Sequence, residues 1–139
     1  MRVMCLDVGQ VRIGIAQSDE LKTIASPLEV YKRTNSIKND ARYIAGLIKQ
    51  NNVDTLVVGL PLKLDGSSST SVDMAKNFAE RIMGQTTGGV KLVYEDERFS
   101  TVQATRVLLE GNARREKRKQ VVDKIAATFI LQSYLDRLK

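Results

Sequence analysis

The sequence predicts an α/β fold, with a five-stranded mixed sheet whose first three strands are antiparallel and with helices packed on that sheet. Short apolar runs, several of them ending at glycine, are typical of buried strands. Later in the chain such runs alternate with stretches of helical periodicity, which indicates parallel strands joined by right-handed crossovers. A chain of 139 residues with 42% hydrophobic content can form one sizeable core. We therefore expect a single domain over residues 1–139.

The first three strands are predicted close together at the start of the chain. Val3–Val8 is almost wholly apolar, which suits a central strand, and Gly9-Gln10 can turn the chain back into Val11–Gln17. In the second strand isoleucines alternate with glycine and alanine. One face therefore has large side chains, and the other has small ones that allow another segment of backbone to come close. A third strand around Leu28–Tyr31 begins after Pro27, and a proline there favours an edge position.

The remaining elements follow from periodicity and from start and stop signals. In order, we expect a helix from Ile37 to near Asn51, a buried strand at Thr55–Val58, a polar loop at Leu64–Ser71, a helix from Val72 to Ile82 stopped by Gly84, a strand at Val90–Tyr94, a short helix from Ser100 to Gly111 and a long helix from about Arg115 to Leu138.

Composition excludes several kinds of chemistry. The chain has no histidine and one cysteine, Cys5, so it can form neither a Cys/His zinc site, nor a histidine-based catalytic triad, nor an internal disulfide. A net charge of +6 favours a polyanionic partner, nucleic acid above all. Without a signal peptide or an apolar run of about 20 residues, the chain is expected to be soluble and cytoplasmic, with no membrane partner.

Asp7 is an acid within an otherwise apolar strand. It shares a strand face with Val3 and Cys5 and precedes Gly9 by two residues, so it lies at a carboxyl edge of the sheet, where α/β folds place their ligand sites. A buried carboxylate needs a cation or a shell of hydrogen bonds. The alternative role is a cap on the hairpin.

More acids follow the last strand, at Glu95-Asp96-Glu97. Alternation places Glu95 and Glu97 on one face and Asp96 on the other, if the strand continues that far. If the crossovers are right-handed, this strand end lies beside that of Asp7. A solvated strand terminus is the alternative interpretation.

Asp123 is the third acid, and it lies on a predicted helix whose buried face can be counted. Helical steps from Asp123 reach Ala127, Ile130 and Tyr134, an apolar stripe that must face the sheet. Asp123 is therefore expected to point inward. An ion pair with Lys119, one turn earlier, would explain the same pattern.

Three carboxylates at one sheet edge repel each other unless a cation lies among them. Because the chain offers oxygen ligands and no histidine, we expect Mg²⁺ or Mn²⁺. Two such ions about 3.5 to 4 Å apart would suit hydrolysis of a phosphodiester.

Two segments could bind phosphates. A basic run, Arg114-Arg115-Glu116-Lys117-Arg118-Lys119, precedes Asp123 and could contact successive phosphates, although a solvated helix start would look the same. The serine-rich segment from Leu64 to Thr70 leads into a helix N-terminus, which also suits a phosphate.

Four segments together resemble the YqgF/RuvX family of RNase H-like nucleases. They appear in order and cover nearly the whole chain: Leu6-Asp7-Val8-Gly9-Gln10-Val11-Arg12-Ile13-Gly14-Ile15-Ala16, Val58-Gly59-Leu60-Pro61 with Asp65-Gly66-Ser67, Asp96-Glu97-Arg98-Phe99-Ser100-Thr101, and Lys117-Arg118-Lys119 through Asp123 to Leu135.

The resemblance implies that Asp7, Glu97 and Asp123 are the catalytic, metal-binding acids, and it selects Glu97 over Asp96. It further implies that Arg12, in the family's turn motif, contacts substrate or braces the site. Arg98, in the motif that contains Glu97, is a further candidate for substrate binding. Similar proteins are linked to processing of the 5′ end of pre-16S rRNA and to Holliday junction resolution. Cys5 and the serines after Gly66 depart from the family pattern, which affects the expected loop conformation and substrate preference rather than the metal site.

Other functions remain open at this point. A nucleic-acid-binding module could keep the fold and the basic charge without turnover. The Asp-Val-Gly segment is also similar to the phosphate loop of sugar kinases and actin-like ATPases, but those enzymes need a second lobe. The sequence does not distinguish RNA from DNA, or a monomer from the homodimer that a two-fold symmetric junction would require.

Overall fold

The structure, a computed structural model, describes residues 1–61, 70–97 and 115–138, and within 115–124 it describes the backbone alone. The strands are β1 (Arg2–Val8), β2 (Arg12–Ser18), β3 (Ala25–Lys32), β4 (Val53–Leu60) and β5 (Lys91–Asp96). The helices are α1 (Ile37–Gln50), α2 (Thr70–Met83) and α3 (Arg115–Arg137). Most of the predicted polar loop and the predicted helix from Ser100 to Gly111 lie outside the described residues.

The five strands form one sheet in the order β3-β2-β1-β4-β5. β1 pairs antiparallel with β2, and β2 pairs antiparallel with β3, whereas β4 is parallel to both β1 and β5. The predicted mixed sheet, with its first three strands antiparallel, is therefore confirmed. That residues 1–139 form a single domain stays a prediction.

A tight turn joins β1 to β2. The Gly9 N–H donates to the Arg12 carbonyl oxygen at 2.9 Å. A Cβ on Gly9 would lie 2.8 Å from that same oxygen, so the close approach of the two backbones requires glycine here. The turn brings Arg12 back to the end of the sheet at which β1 stops.

β3 lies at the edge of the sheet, as its proline predicts, but it is longer than predicted. It runs over Ala25–Lys32, and Pro27 lies within it rather than before it. The pairing with β2 is irregular between Ile15 and Ala16, which pair with Glu29 and Pro27 respectively. This irregularity accommodates a residue that cannot donate a ladder hydrogen bond.

The two faces of the sheet carry separate apolar clusters. Helices α1 and α2 cover one face, and their buried residues pack with strand residues that include Met4, Leu6, Ile13, Ile15, Leu56 and Val58. Helix α3 covers the other face, where Ala126, Ala127, Ile130, Leu131 and Leu135 pack on Val3, Cys5, Ala16 and Val57. Asp7 follows Val3 and Cys5 in strand alternation, so it lies on the face that α3 covers.

The described helices begin and end close to their predicted bounds. Ser36 caps α1, because its side chain accepts a hydrogen bond from the Asn39 N–H. Helix α2 starts at Thr70, two residues earlier than predicted. In the part of the chain that the structure describes, no helix is long and apolar enough to cross a membrane.

Candidate active site at the carboxyl edge of the sheet

Asp7 lies in a row of residues across the sheet, with a glycine on either side. It pairs with Gly14 of β2, and Leu6 pairs with Val58 of β4, so Asp7 is level with Gly59. Both glycines lack a side chain on the face that α3 covers. Asp7 is 9% exposed. The fold thus buries this carboxylate between two residues that have no side chain of their own.

Glu97 reaches the same place from β5. The strand ends at Asp96, and Glu97 follows it with 1% of its surface exposed. A Cβ on Gly59 would lie 3.4 Å from the Glu97 Cγ and 3.6 Å from its Cδ, so the Glu97 side chain rests on that glycine. Asp7 and Glu97 therefore occupy neighbouring positions around Gly59.

The thiol of Cys5 is buried near the same acids. Burial raises the pKa of Cys5 well above its ordinary value of 9.0, and the nearby charges of Asp7, Glu97 and Glu95 raise it further. All three carboxylates are thus near one buried sulfur atom. Cys5 is free and packs in the apolar cluster under α3, as expected of a small apolar residue.

Glu95 is the third acid on this face, and it is held in an ion pair that the sequence did not reveal. Glu95 is fully buried, and the two Nη atoms of Arg137 lie 2.5 and 2.6 Å from its carboxylate oxygens. Burial raises the pKa of Glu95, whereas the hydrogen bond and the charge of Arg137 lower it. The partners are 42 residues apart, so no local pattern could have indicated them. The contact ties the end of α3 to β5 next to Glu97.

Asp123 lies on α3 as predicted, and its side chain is outside the described residues. The apolar stripe that predicted its inward direction is present: Ala127 and Ile130 are fully buried, and Tyr134 packs against the same cluster. A Cβ on Gly59 would lie 2.8 Å from the Ile130 Cδ1, so α3 crosses the sheet close to Glu97. Whether the Asp123 carboxylate meets the other acids stays a prediction.

The predicted substrate-binding residues divide into three groups. Arg12 begins β2 and is half-buried, and alternation with Gly14 and Ala16 places it on the face of Asp7. Lys117, Arg118 and Lys119 lie in the first turns of α3, where only the backbone is described. Arg98 lies outside the described residues.

The residues present fit a hard divalent cation. Asp7 and Glu97 supply carboxylate oxygens, which such cations prefer, and both acids are buried at the same edge of the sheet. Among the side chains that the structure describes, no group of three potential ligands forms a complete metal site. The predicted third ligand, Asp123, is not among those side chains, so the described pair forms one part of the predicted set.

A sheet of this order, with acids at the carboxyl edge and a long helix across them, has the RNase H-like fold. The chain belongs to the RuvX family, because the family model described as "Holliday junction resolvase" matches residues 1–137. This finding confirms the resemblance drawn from the four sequence segments.

Two bacterial relatives illustrate the similarity, and both are named "Putative pre-16S rRNA nuclease". One, from Carboxydothermus hydrogenoformans, is 43% identical over 136 residues, which are 98% of this chain and 96% of the relative. The other, from Moorella thermoacetica, is 42% identical over 138 residues, which are 99% of this chain and 96% of the relative.

Solved structures support the fold independently of sequence. RuvC from Thermus thermophilus, in complex with a Holliday junction substrate, matches with a TM-score of 0.62 at 14% identity and covers 100% of this chain and 97% of that one. A further structure of Thermus thermophilus RuvC matches with a TM-score of 0.55 at 14% identity, over 99% of this chain and 96% of that one. At this identity the likeness concerns the fold.

Proposed function

We propose that the protein is a divalent-metal-dependent endonuclease that hydrolyses phosphodiester bonds in structured nucleic acid. The substrate is the 5′ end of precursor 16S rRNA or a four-way DNA junction, and the site of action is the cytoplasm. The proposal joins the chemistry of the sheet edge to the family to which the chain belongs.

One observation carries the proposal. Two buried carboxylates, Asp7 and Glu97, lie around Gly59 at the edge where RNase H-like sheets place their ligands. Burying two like charges together is unfavourable without a cation between them or hydrogen bonds to each. A Mg²⁺ or Mn²⁺ ion bound by both carboxylates meets this need.

In the proposed mechanism Asp7, Glu97 and Asp123 would hold the metal ions through their oxygens. When bound, two divalent ions supply Lewis acidity and neutralise the charge that develops on the phosphate oxygens. Water adds to phosphorus, the bond from phosphorus to the 3′ oxygen breaks, and the 3′ oxygen receives a proton. The products are a 5′-phosphate and a 3′-hydroxyl. The protein's own contribution is to orient the acids and to limit access of bulk water.

The basic residues would position the substrate. Lys117, Arg118 and Lys119 precede Asp123 on α3, so phosphates bound there lie near the acids. Arg12 reaches the same face from the β1–β2 turn, and Arg98 follows Glu97 directly. A net charge of +6 would raise the local concentration of nucleic acid. Cleavage at two symmetric positions of a junction would require a homodimer.

Parallel cleavage assays test the proposal. Purified protein is given Mn²⁺ with a precursor 16S rRNA fragment in one series and a synthetic four-way junction in another. We expect cleavage of at least one substrate, with 5′-phosphate ends, and none when the metal is chelated. The preferred substrate then decides between RNA and branched DNA.

Three variants, Asp7→Asn, Glu97→Gln and Asp123→Asn, serve as blanks in the same assay. Each is expected to abolish cleavage and keep nucleic-acid affinity. The matched control is Asp54→Asn, which also removes one carboxylate but lies at the start of β4, paired with Lys22. Cleavage by all three variants at the parent rate would refute the assigned site. A parent protein that binds both substrates and cleaves neither would instead be a non-catalytic binding module.

A further inference from the structure

Arg33 holds both ends of the turn that joins β1 to β2. Its backbone N–H donates to the Val11 carbonyl oxygen at 2.8 Å, and its Nη1 donates to the Gly9 carbonyl oxygen at 3.0 Å. The Arg33 side chain is 12% exposed. Gly9 is two residues beyond Asp7, and Val11 directly precedes Arg12. Arg33 therefore restrains the segment between two residues of the proposed site, through one backbone and one side-chain hydrogen bond.

Asp40 of α1 fixes the guanidinium from the opposite side. The Arg33 Nε lies 3.5 Å from the Asp40 Oδ2, and Asp40 is fully buried. The other carboxylate oxygen, Oδ1, accepts from the Tyr31 hydroxyl at 2.8 Å and from the Thr34 N–H and hydroxyl at 3.0 and 2.9 Å. Burial and the bond to Asp40 raise the pKa of Tyr31 to about 12, so this donor stays protonated at neutral pH. The carboxylate cannot turn away from Arg33 without breaking these bonds.

Helix α2 closes the third side of the guanidinium. The Arg33 Cζ lies 4.9 Å from the centre of the Phe78 ring, and Nη1 lies 3.7 Å from the Met74 Sδ. An arginine over an aromatic face is favourable and also limits rotation of the planar group. The guanidinium is thus surrounded by Asp40, Phe78 and the Gly9 carbonyl oxygen, which limits its freedom to rotate.

The ion pair between Arg33 and Asp40 does not itself involve the β1–β2 turn. A buried ion pair is weak evidence for stabilisation, because desolvation offsets much of the attraction. The hydrogen bond to Gly9 is the part that connects this pair to the acids. It acts from the α1 and α2 face of the sheet, whereas Asp7 lies on the α3 face, so Arg33 influences Asp7 through the backbone.

We propose that Arg33 is a positioning residue for the nuclease site. Held by Asp40, it fixes the β1–β2 turn and so sets how Asp7 and Arg12 are presented on the other face of the sheet. The inference rests on the proposed nuclease function for its catalytic consequence. Its structural part, the restraint of the turn, can be measured on the metal-free protein.

Two substitutions of Arg33 test the inference. Arg33→Met removes the guanidinium and keeps apolar volume, and Arg33→Lys keeps the charge beside Asp40 but loses the planar fork that reaches two acceptors at once. In the metal-free protein, hydrogen exchange of the Gly9 N–H, which donates to Arg12, is expected to accelerate by about tenfold or more in both variants.

Under cleavage conditions kcat should fall by roughly ten- to a hundredfold, with KM changed by less than about twofold. Compared with Arg33→Met, the Arg33→Lys variant should regain much of the free energy of unfolding but little of the lost kcat.

Tyr31→Phe is the matched control, since it removes a hydrogen bond from the same Asp40 and leaves the hydrogen bond between Arg33 and Gly9 in place. It should lower the free energy of unfolding and leave Gly9 exchange and kcat unchanged. Equal losses of stability in Tyr31→Phe and Arg33→Met, with neither changing Gly9 exchange or kcat, would refute the inference. Faster Gly9 exchange with an unchanged kcat would refute it too. A parent protein that cleaves nothing would refute the proposed function, and the exchange result would still decide the restraint of the turn.

Discussion

Glu97 rests directly on Gly59, at a point where a Cβ would lie 3.4 Å from the Glu97 Cγ and 2.8 Å from the Ile130 Cδ1. The missing side chain lets an acid from β5 and an apolar residue from α3 meet over β4. Because Asp7 is level with Gly59 on the neighbouring strand, the same gap adjoins a second carboxylate.

Substituting Gly59 tests whether this gap matters for metal binding. Gly59→Ala is expected to cost about 1–3 kcal/mol of unfolding free energy through overpacking against Ile130. It should also weaken Mn²⁺ binding by roughly tenfold, because a methyl group in contact with the Glu97 Cγ, 3.4 Å away, restricts how this side chain can adjust to an ion. Urea denaturation and calorimetric titration measure the two effects.

A compensating substitution separates packing from ligand placement. Ile130→Val removes the Cδ1 atom that the new methyl group would meet, and alone it should cost about 0.5–1.5 kcal/mol. In the double variant the stability losses should be less than additive, while Mn²⁺ binding stays weak. If the double variant recovered both stability and Mn²⁺ affinity, the missing side chain at Gly59 would matter for packing alone.

The ion pair between Arg137 and Glu95 should stabilise the position of α3. Arg137→Met leaves a fully buried carboxylate without its cation, which typically costs about 3–5 kcal/mol. Because the Arg137 side chain is 49% exposed, water screens part of the loss, and we expect about 1–3 kcal/mol. In a Glu95→Gln background the same substitution should cost less than about 1 kcal/mol, since no charge is then left unpaired. Equal costs in both backgrounds, measured by urea denaturation, would show that the pair is not coupled.

The basic start of α3 is predicted to bind phosphates. Replacing Lys117, Arg118 and Lys119 with alanine should weaken nucleic-acid binding and reduce the slope of log affinity against log salt by about 0.7 to 0.9 for each phosphate that the variant no longer binds. The control replaces Lys38, Arg42 and Lys49, which are exposed on α1 on the opposite face of the sheet. It removes the same charge and should leave the slope nearly unchanged. Similar slopes for the two triple variants would assign the binding to net charge rather than to α3.

Asp40 should make stability depend on pH in the acid range. Burial alone raises the pKa of Asp40, but hydrogen bonds from Thr34 and Tyr31 and the charge of Arg33 outweigh it and hold the pKa below the ordinary value of 3.8. The unfolded chain therefore takes up the proton first as the pH falls. The stabilisation is complete above the unfolded pKa and is lost as the pH drops through the folded one.

Comparison of the parent with Asp40→Asn isolates this contribution from those of other carboxylates. The difference in unfolding free energy should be largest near pH 6, at about 1–3 kcal/mol, and should shrink below about pH 4. Urea denaturation at intervals between these values measures it. A difference that stays constant with pH would show that the pKa of Asp40 is the same in the folded and the unfolded chain.

Much of the fold follows from local patterns. The apolar run before Gly9 and the alternation of Ile13 and Ile15 were sufficient to predict the central hairpin, and helical spacing predicted α1, α2 and α3. The predicted β3 is too short because a proline usually marks the end of a strand. In the structure β3 pairs with β2 on both sides of Pro27, so the strand continues through it. Tertiary pairing decides such ends, and a single strand's sequence does not encode it.

The candidate site was predictable in part. The position of Asp7 on the α3 face and the burial of Glu97 agree with the strand alternation. The partners of Arg33 and Arg137 were not predicted, because each pair joins residues far apart in the chain that share no motif. Such partners become visible only when the topology brings β3 beside the β1–β2 turn and α3 beside β5.

The most direct test of the metal site is anomalous diffraction from crystals of the protein soaked in Mn²⁺. We expect anomalous peaks beside Gly59, with oxygens of Asp7, Glu97 and Asp123 at bonding distances of about 2.1 Å. Glu97→Gln crystals treated in the same way should show a weakened peak or none. Mn²⁺ bound only elsewhere, or carboxylates of Asp7 and Asp123 too far apart to share an ion, would refute the proposed metal site.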